Sequence, residues 1–211
     1  MRPKVLFFFL LILLQMSCGE QRSEAKNGRE VISDRPWKLI CLGGDWTVGV
    51  GLPPEEAYPA LLAEQLSTLL PVKVVNAGIK GESVSGAADR VDWLLQQRLD
   101  ALLIQYASKQ SGPLLIKELQ DWEKLLKKVR LAYPELPVIV ATAGTASHDN
   151  AYLKSFEQLL KRVDAQWEII NVPHQEKEPK YWQGNGEYLS QEGQRILAEQ
   201  LFPKVASLVT D

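Results

Sequence analysis

Few residues of this chain can do covalent chemistry, and their types limit which chemistry that is. It holds two histidines, His148 and His174, two cysteines, Cys18 and Cys41, and hydroxyls at Thr47, Ser83, Ser85 and Ser108 that stand near the ends of apolar runs. Nucleophilic hydrolysis needs a nucleophile, a base with a pKa near the working pH and an acceptor that orients the base. His148 and His174 are the imidazoles available for that base, and each also reads as a solvated loop histidine. Ser83 and Ser85 open a helical stretch, where capping is the plain alternative, and Thr47 reads the same way. Cys41 sits in the apolar run from Lys38 to Leu42 and reads as a small buried hydrophobe. With no His-Glu-x-x-His, no cysteine pair and no acidic calcium-type loop, neither a metal nor a cofactor is expected. Gly49-Val50-Gly51 is a turn, not a phosphate cradle.

These residues are positioned by alternating short and long apolar patterns. Strands are expected over 38–42, 73–76, 100–106, 136–142 and 167–172, and helices over 54–70, 84–97, 113–133, 150–163 and 190–208. Ser190 is a plausible N-cap for the last helix, with Glu192 in its first turn. Five strands alternating with five helices predict a three-layer α/β/α sandwich around a five-stranded parallel sheet, the flavodoxin-like arrangement. Ligands of such sheets sit at the carboxyl ends of the strands. The loops after Leu42, Asn76, Tyr106, Thr142 and Val172 are therefore the candidate site. The connection from Pro173 to Leu189 is long for a compact domain and reads as functional or mobile.

The chain has 211 residues, 45% hydrophobic and 24% charged, with a net charge of −2. That composition belongs to a globular protein and excludes a disordered chain. The balance of charge argues against nucleic acid as a partner. The N-terminus places Arg2 and Lys4 before an apolar run from Val5 to Leu14, too short to span a bilayer, which needs about 20 residues. This is the pattern of an export signal over residues 1–17. Ser17-Cys18-Gly19 follows it and resembles the lipobox of bacterial lipoproteins, with Gln15 where Leu is usual. The resemblance implies lipidation of Cys18, a membrane partner through that lipid, and an exported location on the periplasmic or surface side. Removal of residues 1–17 takes two cations and no acid, so the net charge falls from −2 to −4. Residues 18–36 read as a lipidated start and polar tether, and residues 37–211 as the folded domain.

The loop after the first strand reads Gly43-Gly44-Asp45-Trp46-Thr47-Val48-Gly49, followed by Pro53-Pro54-Glu55-Glu56-Ala57-Tyr58-Pro59. This run resembles the first block of the SGNH (GDSL-type) esterases and lipases, in particular the bacterial arylesterase and lysophospholipase branch. Asn76-Ala77-Gly78-Ile79-Lys80-Gly81-Glu82-Ser83 resembles the second block. Glu192 to Glu199 resembles the last helix. The similarity runs over roughly 38–205 and implies the SGNH hydrolase fold.

At the family's catalytic positions this chain carries other residues. Asp45 stands at the nucleophilic serine and Gly44 at the aspartate before it. Ala107-Ser108-Lys109-Gln110 stands at the third block, which puts Lys109 at the oxyanion asparagine. Asn185-Gly186-Glu187-Tyr188-Leu189 stands at the fifth block, with Tyr188 at the general base and Asn185 at its orienting aspartate. The oxyanion-type glycine of the second block, Gly81, is kept. A tyrosine, with a reference pKa near 10, is a poor base at neutral pH. The family's mechanism therefore cannot run on these residues. The resemblance leads to a non-catalytic or ligand-binding pseudo-esterase on a lipid anchor, with a small ester, acyl or glycan ligand.

Two other readings stay open. One is a live carboxylic-ester hydrolase in which Asp45 forms an ester intermediate and His148 or His174 activates water. The other is a structural envelope lipoprotein. Within the family fold the positions of Asp45 and Lys109 face one pocket, so an Asp45–Lys109 salt bridge with Tyr188 donating to Asp45 is expected. Trp46, Trp93, Trp122, Trp167 and Tyr106 are expected to be core or pocket lining. Lys124, Lys127, Lys128 and Arg130 are expected to form a solvated helix face, with anionic lipid headgroups as an alternative.

Overall fold

The first strand, β1 (Trp37–Gly43), is half-buried over its first two residues and buried over the next five. Such a run suits a strand covered on both faces. The computed structural model describes residues 35–106, 113–143, 150–163, 166–170 and 178–210. In it β1 lies between β2 (Val72–Gly78) and β3 (Ala101–Gln105), and the sheet continues through β4 (Val138–Ala143) to β5 (Gln166–Ile170). The order is β2-β1-β3-β4-β5 and every pairing is parallel. The chain leaves β1 to one side for β2 and returns to the other side for β3. The loops after β1 and β3 therefore diverge, and a crevice opens between them at the carboxyl edge.

Helices cover both faces. On one side α2 (Tyr58–Leu66) and α6 (Gln191–Thr210) bury Leu62, Leu66, Leu197 and Leu201 against Leu39, Cys41 and Leu103. On the other, α3 (Val84–Leu94), α4 (Pro113–Ala132) and α5 (Asn150–Arg162) bury Val91, Leu125 and Leu160 against Ile40, Leu102 and Val140. The strand alternation that sends Leu39 and Cys41 to one core and Ile40 and Leu42 to the other follows from the two-residue period of a strand. Trp122 meets Tyr106 and Phe156 edge-on at 5.9 and 5.3 Å, which ties the end of β3 to both α4 and α5.

Beyond shifts of a few residues at element ends, the structure differs from the sequence expectation in two places, each for a local reason. The helix expected over 54–70 is broken. Pro54–Glu56 form one 3₁₀ turn, Ala57 is extended at φ −72° and ψ 144°, and α2 starts afresh at Tyr58. Pro59 fits only the first turn of a helix, because its ring excludes the hydrogen bond and space an interior position needs. In the long connection before α6, residues 182–189 hold a small antiparallel pair, β6 (Trp182–Gln183) and β7 (Tyr188–Leu189), which apolar periodicity did not reveal. Its signal is the Gly184-Asn185-Gly186 run, whose three residues all take positive φ. Ser190 caps α6 as expected, its hydroxyl accepting from the Gly193 N–H at 3.2 Å.

The basic run on α4 is a salt-bridged face. Lys124 pairs with Asp89 at 2.7 Å and Lys128 with Asp92 at 2.6 Å, both on α3, and Lys127 with Glu123 at 2.9 Å. Arg130 turns inward and donates to the carbonyls of Val163 and Leu136 at 2.7 and 2.5 Å. Burial raises the Cys41 thiol well above its ordinary pKa, so the cysteine is the inert core residue its neighbours suggested.

The amino edge of the sheet is closed by a charge clamp. Arg35 donates through both terminal nitrogens to Asp100, and the N–H of Lys38 donates to the same carboxylate at 2.8 Å. The Arg35 hydrogen bond, helped by that N–H, holds the Asp100 carboxyl below the usual range. A carboxyl depressed in the folded state adds stability above its unfolded pKa and loses it as pH falls through the folded value. Asp100→Asn is thus expected to lower the melting temperature at pH 6 and to make progressively less difference below about pH 4. Thermal melts of both proteins across that range check the sign.

Candidate functional site

The crevice between the β1 and β3 loops is a cleft of about 510 Å³. Its walls include Gly44, Asp45 and Trp46 after β1, Gly81 to Ser85 after β2, Gln105 and Tyr106 at the end of β3, and Lys117, Glu118 and Asp121 on α4. Three of the five loops that the strand-end argument selects, those after Leu42, Asn76 and Tyr106, thus meet here, and the loops after Thr142 and Val172 lie outside the described residues.

Asp45 is the first residue of α1 (Asp45–Val48), a single helical turn. Two close approaches fix that turn. The N–H groups of Thr47 and Val48 both donate to the carbonyl of Gly44, at 3.1 and 3.0 Å. Gly78 lets the turn lie against β2, because a Cβ there would stand 2.3 Å from the Val48 nitrogen. Behind the turn Thr47 is fully buried. Its hydroxyl lies 3.1 Å from the Tyr58 hydroxyl and 3.3 Å from Oε1 of Gln105. Thr47 is therefore part of the core that seats the loop, not a helix cap. Gln194 completes the seat from α6, donating to the carbonyl of Trp46 at 3.0 Å and accepting from the Tyr58 N–H at 2.9 Å.

Held in this way, the Asp45 carboxylate reaches across the cleft to the second-block loop. Its Oδ1 accepts from the N–H of Gly81 at 2.7 Å. Gly81 takes φ +74° and has open space where a Cβ would be. The side chain that the resemblance puts at the nucleophile's position thus takes the N–H that the same resemblance assigns to the oxyanion.

The loop bearing Gly81 is held from below by a charged group that sequence reasoning missed. Glu82 receives Nε of Arg90 at 2.5 Å, a terminal nitrogen of Arg90 at 2.6 Å, and the Tyr106 hydroxyl at 2.7 Å. Arg90 also donates to the carbonyl of Ala77 at 2.7 Å, at the base of the same loop. The Glu82 side chain is only 8% exposed. Burial first, and then the bond to Glu82, pushes the Tyr106 phenol far above its usual range, so it stays a donor. The guanidinium is raised by its bond to the Glu82 carboxylate. The eight-residue spacing of Glu82 and Arg90 spans a loop and a helix, so neither a helical nor a strand period marks it.

The other expected site residues fall as follows. Tyr188 is half-buried on β7. No hydrogen bond joins it to Asp45, which corrects the expected donor. The Lys80 ammonium instead lies 5.8 Å from the centre of its ring. Asn185 is exposed at φ 56° in the turn between β6 and β7, and no described bond links it to Tyr188. Lys109, Ser108, His148, His174 and Cys18 lie outside the described residues, and so does the expected Asp45–Lys109 bridge. Ser83 caps α3, accepting from the Gly86 N–H at 3.4 Å. Trp46 and Tyr106 line the cleft and Trp122 is core, whereas Trp93 is 67% exposed on α3, which corrects the expected core or lining place. The side chain of Trp167 is not among those described. Among the described residues no cluster of three metal-ligating side chains occurs.

Gly184 sets the position of Tyr188. Its φ is +57°, and a Cβ there would stand 2.7 Å from the Tyr188 ring. Gly184→Ala is expected to cost about 1–3 kcal/mol, from left-handed strain plus displacement of the ring. Urea unfolding measures the loss.

Solved structures with the same architecture carry the family comparison. An esterase, EstA from Pseudoalteromonas sp., superposes with a TM-score of 0.68 at 20% identity, over 82% of this chain and 99% of that one. The fold is that of the SGNH esterases. AlinE4, an SGNH-hydrolase family esterase, gives a TM-score of 0.54 at 19% identity, over 84% of this chain and 98% of its own. A two-domain esterase active on acetylated mannans gives 0.69 at 18% identity, over 83% of this chain and half of that one. No family model and no curated protein matches the chain. At these identities the likeness concerns the SGNH fold.

Proposed function

We propose that this chain is a non-catalytic SGNH-fold protein whose cleft binds a small acyl or glycan ligand, carried on the exported side of a bacterial membrane by a lipid on Cys18. The observation that supports this reading is the 2.7 Å bond from the Gly81 N–H to Asp45. A pre-set oxyanion donor is valuable because it is empty until charge develops on the substrate. Here a carboxylate of the chain itself holds the donor, and it would repel a second oxyanion. The residues at the base and orienting positions, Tyr188 and Asn185, do not join Asp45 in a proton-transfer chain. What remains is a cleft with a carboxylate, hydroxyls at Ser83 and Ser85, and an indole wall at Trp46, a set suited to holding hydroxyl-rich or acyl groups. One related fold, the mannan esterase, has been co-crystallised with mannopentaose.

The test is a titration of the isotopically labelled protein with mannopentaose, butyrate and a lysophospholipid. Binding in the cleft is expected to move the amide resonances of Gly81, Ser83 and Tyr106 together. If none of the three moves them, the ligand-binding reading gives way to a purely structural envelope role.

A further inference from the structure

Gln105 brings a buried amide to the cleft with half of its bonding unmet. It is the last residue of β3, lines the cleft and is 1% exposed. Its Oε1 accepts from the Thr47 hydroxyl at 3.3 Å. Its Nε2 is buried and has no acceptor among the described residues. A primary amide carries two N–H donors, and a buried donor without an acceptor keeps the cost of its lost hydration. Most buried side-chain polar atoms have a partner, so an orphan at a cleft wall needs a cause. The two other orphans among the described residues, Nε of Arg35 and Oε1 of Gln65, do not line the cleft. Packing does not demand an amide at this position. Leu103, two residues earlier on the same face of β3, is apolar core. Thr47 has the Tyr58 hydroxyl at 3.1 Å besides.

The amide is also loosely held. Its one bond is long for a hydroxyl donor, whose usual range is about 2.5–3.0 Å, and the last torsion of a glutamine is broad. A turn about that torsion gives up little and lets Nε2 meet an oxygen brought into the cleft. The neighbouring polar groups describe what brings it. Asp45 spends Oδ1 on the Gly81 N–H, and its Oδ2 accepts from none of the described residues. Ser85 adds a hydroxyl and Trp46 an indole wall. A hydroxyl group can give its hydrogen to a carboxylate and take one from an amide. An acyl chain does neither and would leave the amide sealed and unmet. An ionised acid would be repelled by Asp45.

We infer that Gln105 is a ligand-binding donor of the cleft, and that with the Asp45 acceptor it selects a neutral saccharide over an acyl chain or an ionised acid. The inference rests on the ligand-binding reading above and narrows it to one class of ligand. A site that hydrogen-bonds a hydroxyl rejects an analogue lacking it, because its own buried polar groups are then left unpaired. Gln105 is such a group, and its cost is met only by a ligand that supplies the acceptor.

The test uses the unaltered full chain, isotopically labelled, with mannopentaose, xylopentaose and chitopentaose as saccharide probes and butyrate and a lysophospholipid beside them. The side-chain amide resonances of Gln105 are assigned through its own backbone. At least one saccharide is expected to move them together with the Gly81 amide, and butyrate and the lysophospholipid are expected to leave them in place. Gln105→Met keeps the reach of the side chain without the donor and is expected to weaken that saccharide about tenfold, the worth of roughly one hydrogen bond. The resonance shift is read on the unaltered chain, whether or not Gln105→Met folds. A saccharide that moves Gly81 while the Gln105 amide stays in place overturns the inference and leaves the ligand-binding reading standing. So does butyrate or the lysophospholipid as the only binder. A lower melting temperature of Gln105→Met with unchanged saccharide affinity marks a purely structural amide and overturns the inference as well. A chain in which no probe moves Gly81 overturns both.

Discussion

Purified full-length protein is expected to hydrolyse p-nitrophenyl acetate and p-nitrophenyl butyrate no faster than buffer, and Asp45→Ala is expected to leave that rate unchanged. Three losses converge on this result. The resemblance puts a carboxylate, Asp45, at the nucleophile's position. Its attack on the acyl carbon of a carboxylic ester would produce an anhydride, less stable than the starting ester, and the ester intermediate of the rewired reading would require attack at the alkyl carbon instead. The resemblance puts Tyr188, not an imidazole, at the base's position, and a tyrosine is a poor proton acceptor at neutral pH. The Gly81 donor is already spent on Asp45 at 2.7 Å. Removing such a unit typically costs around 10⁶ in kcat, and the parts of a triad do not act separately. For the same reason Asp45→Ser alone is expected to stay at background: it vacates the Gly81 N–H and supplies a hydroxyl, but brings no base to the hydroxyl. A continuous absorbance assay decides the matter. Turnover of the unaltered chain that Asp45→Ala abolishes would establish the rewired hydrolase, with a base drawn from His148 or His174, and would end the pseudo-esterase reading.

The reach of the sequence is clearest where one residue's surroundings are local. β1 and β3 are legible because a continuous apolar run has one economical home, a strand covered on both faces, and the alternation of helices then fixes a parallel sheet. The cleft is legible because strand order and direction place the loops after Leu42, Asn76 and Tyr106 together, whatever their side chains. Ser83 and Ser190 are legible as caps because a cap is decided within three residues. What depends on distant partners is not legible in this way. Thr47 reads as a cap yet lies in the core, because its partners Tyr58 and Gln105 come from α2 and β3. Trp93 reads as core because tryptophan usually is. The period of α3, which buries Val84, Ala87, Ala88, Val91 and Leu94, turns it outward. The resemblance placed Asp45 and Gly81 at neighbouring functional positions, but only the seated turn of α1 reveals that one occupies the other's hydrogen bond.

Loss of Arg90 is the largest expected effect on stability and a probe of the cleft at once. Its guanidinium makes two bonds to Glu82 and one to the carbonyl of Ala77, with side chains 21% and 8% exposed for Arg90 and Glu82. Arg90→Met keeps most of the aliphatic stem, so packing along α3 is largely preserved and the change isolates the charge. It leaves the Glu82 carboxylate nearly buried with one remaining donor, the Tyr106 hydroxyl. Breaking a buried pair by removing one partner costs about 3–5 kcal/mol, because the surviving charge is uncompensated. Arg90 is partly solvated, so the low end of that range, about 3 kcal/mol, is expected here. In a domain of this size that corresponds to a fall of roughly 6–12 °C in melting temperature. Glu82→Gln with Arg90→Met together are expected to lose less than Arg90→Met alone, since the double change removes the stranded charge. The same variant has a local readout. Arg90 anchors the loop from Ala77 to Glu82, so its removal is expected to weaken the bond from Gly81 to Asp45 and to speed exchange of the Gly81 amide well beyond the change at Leu39 in the distant core. Equal acceleration at both amides would make Arg90 a general stabiliser with no special hold on the loop that faces Asp45.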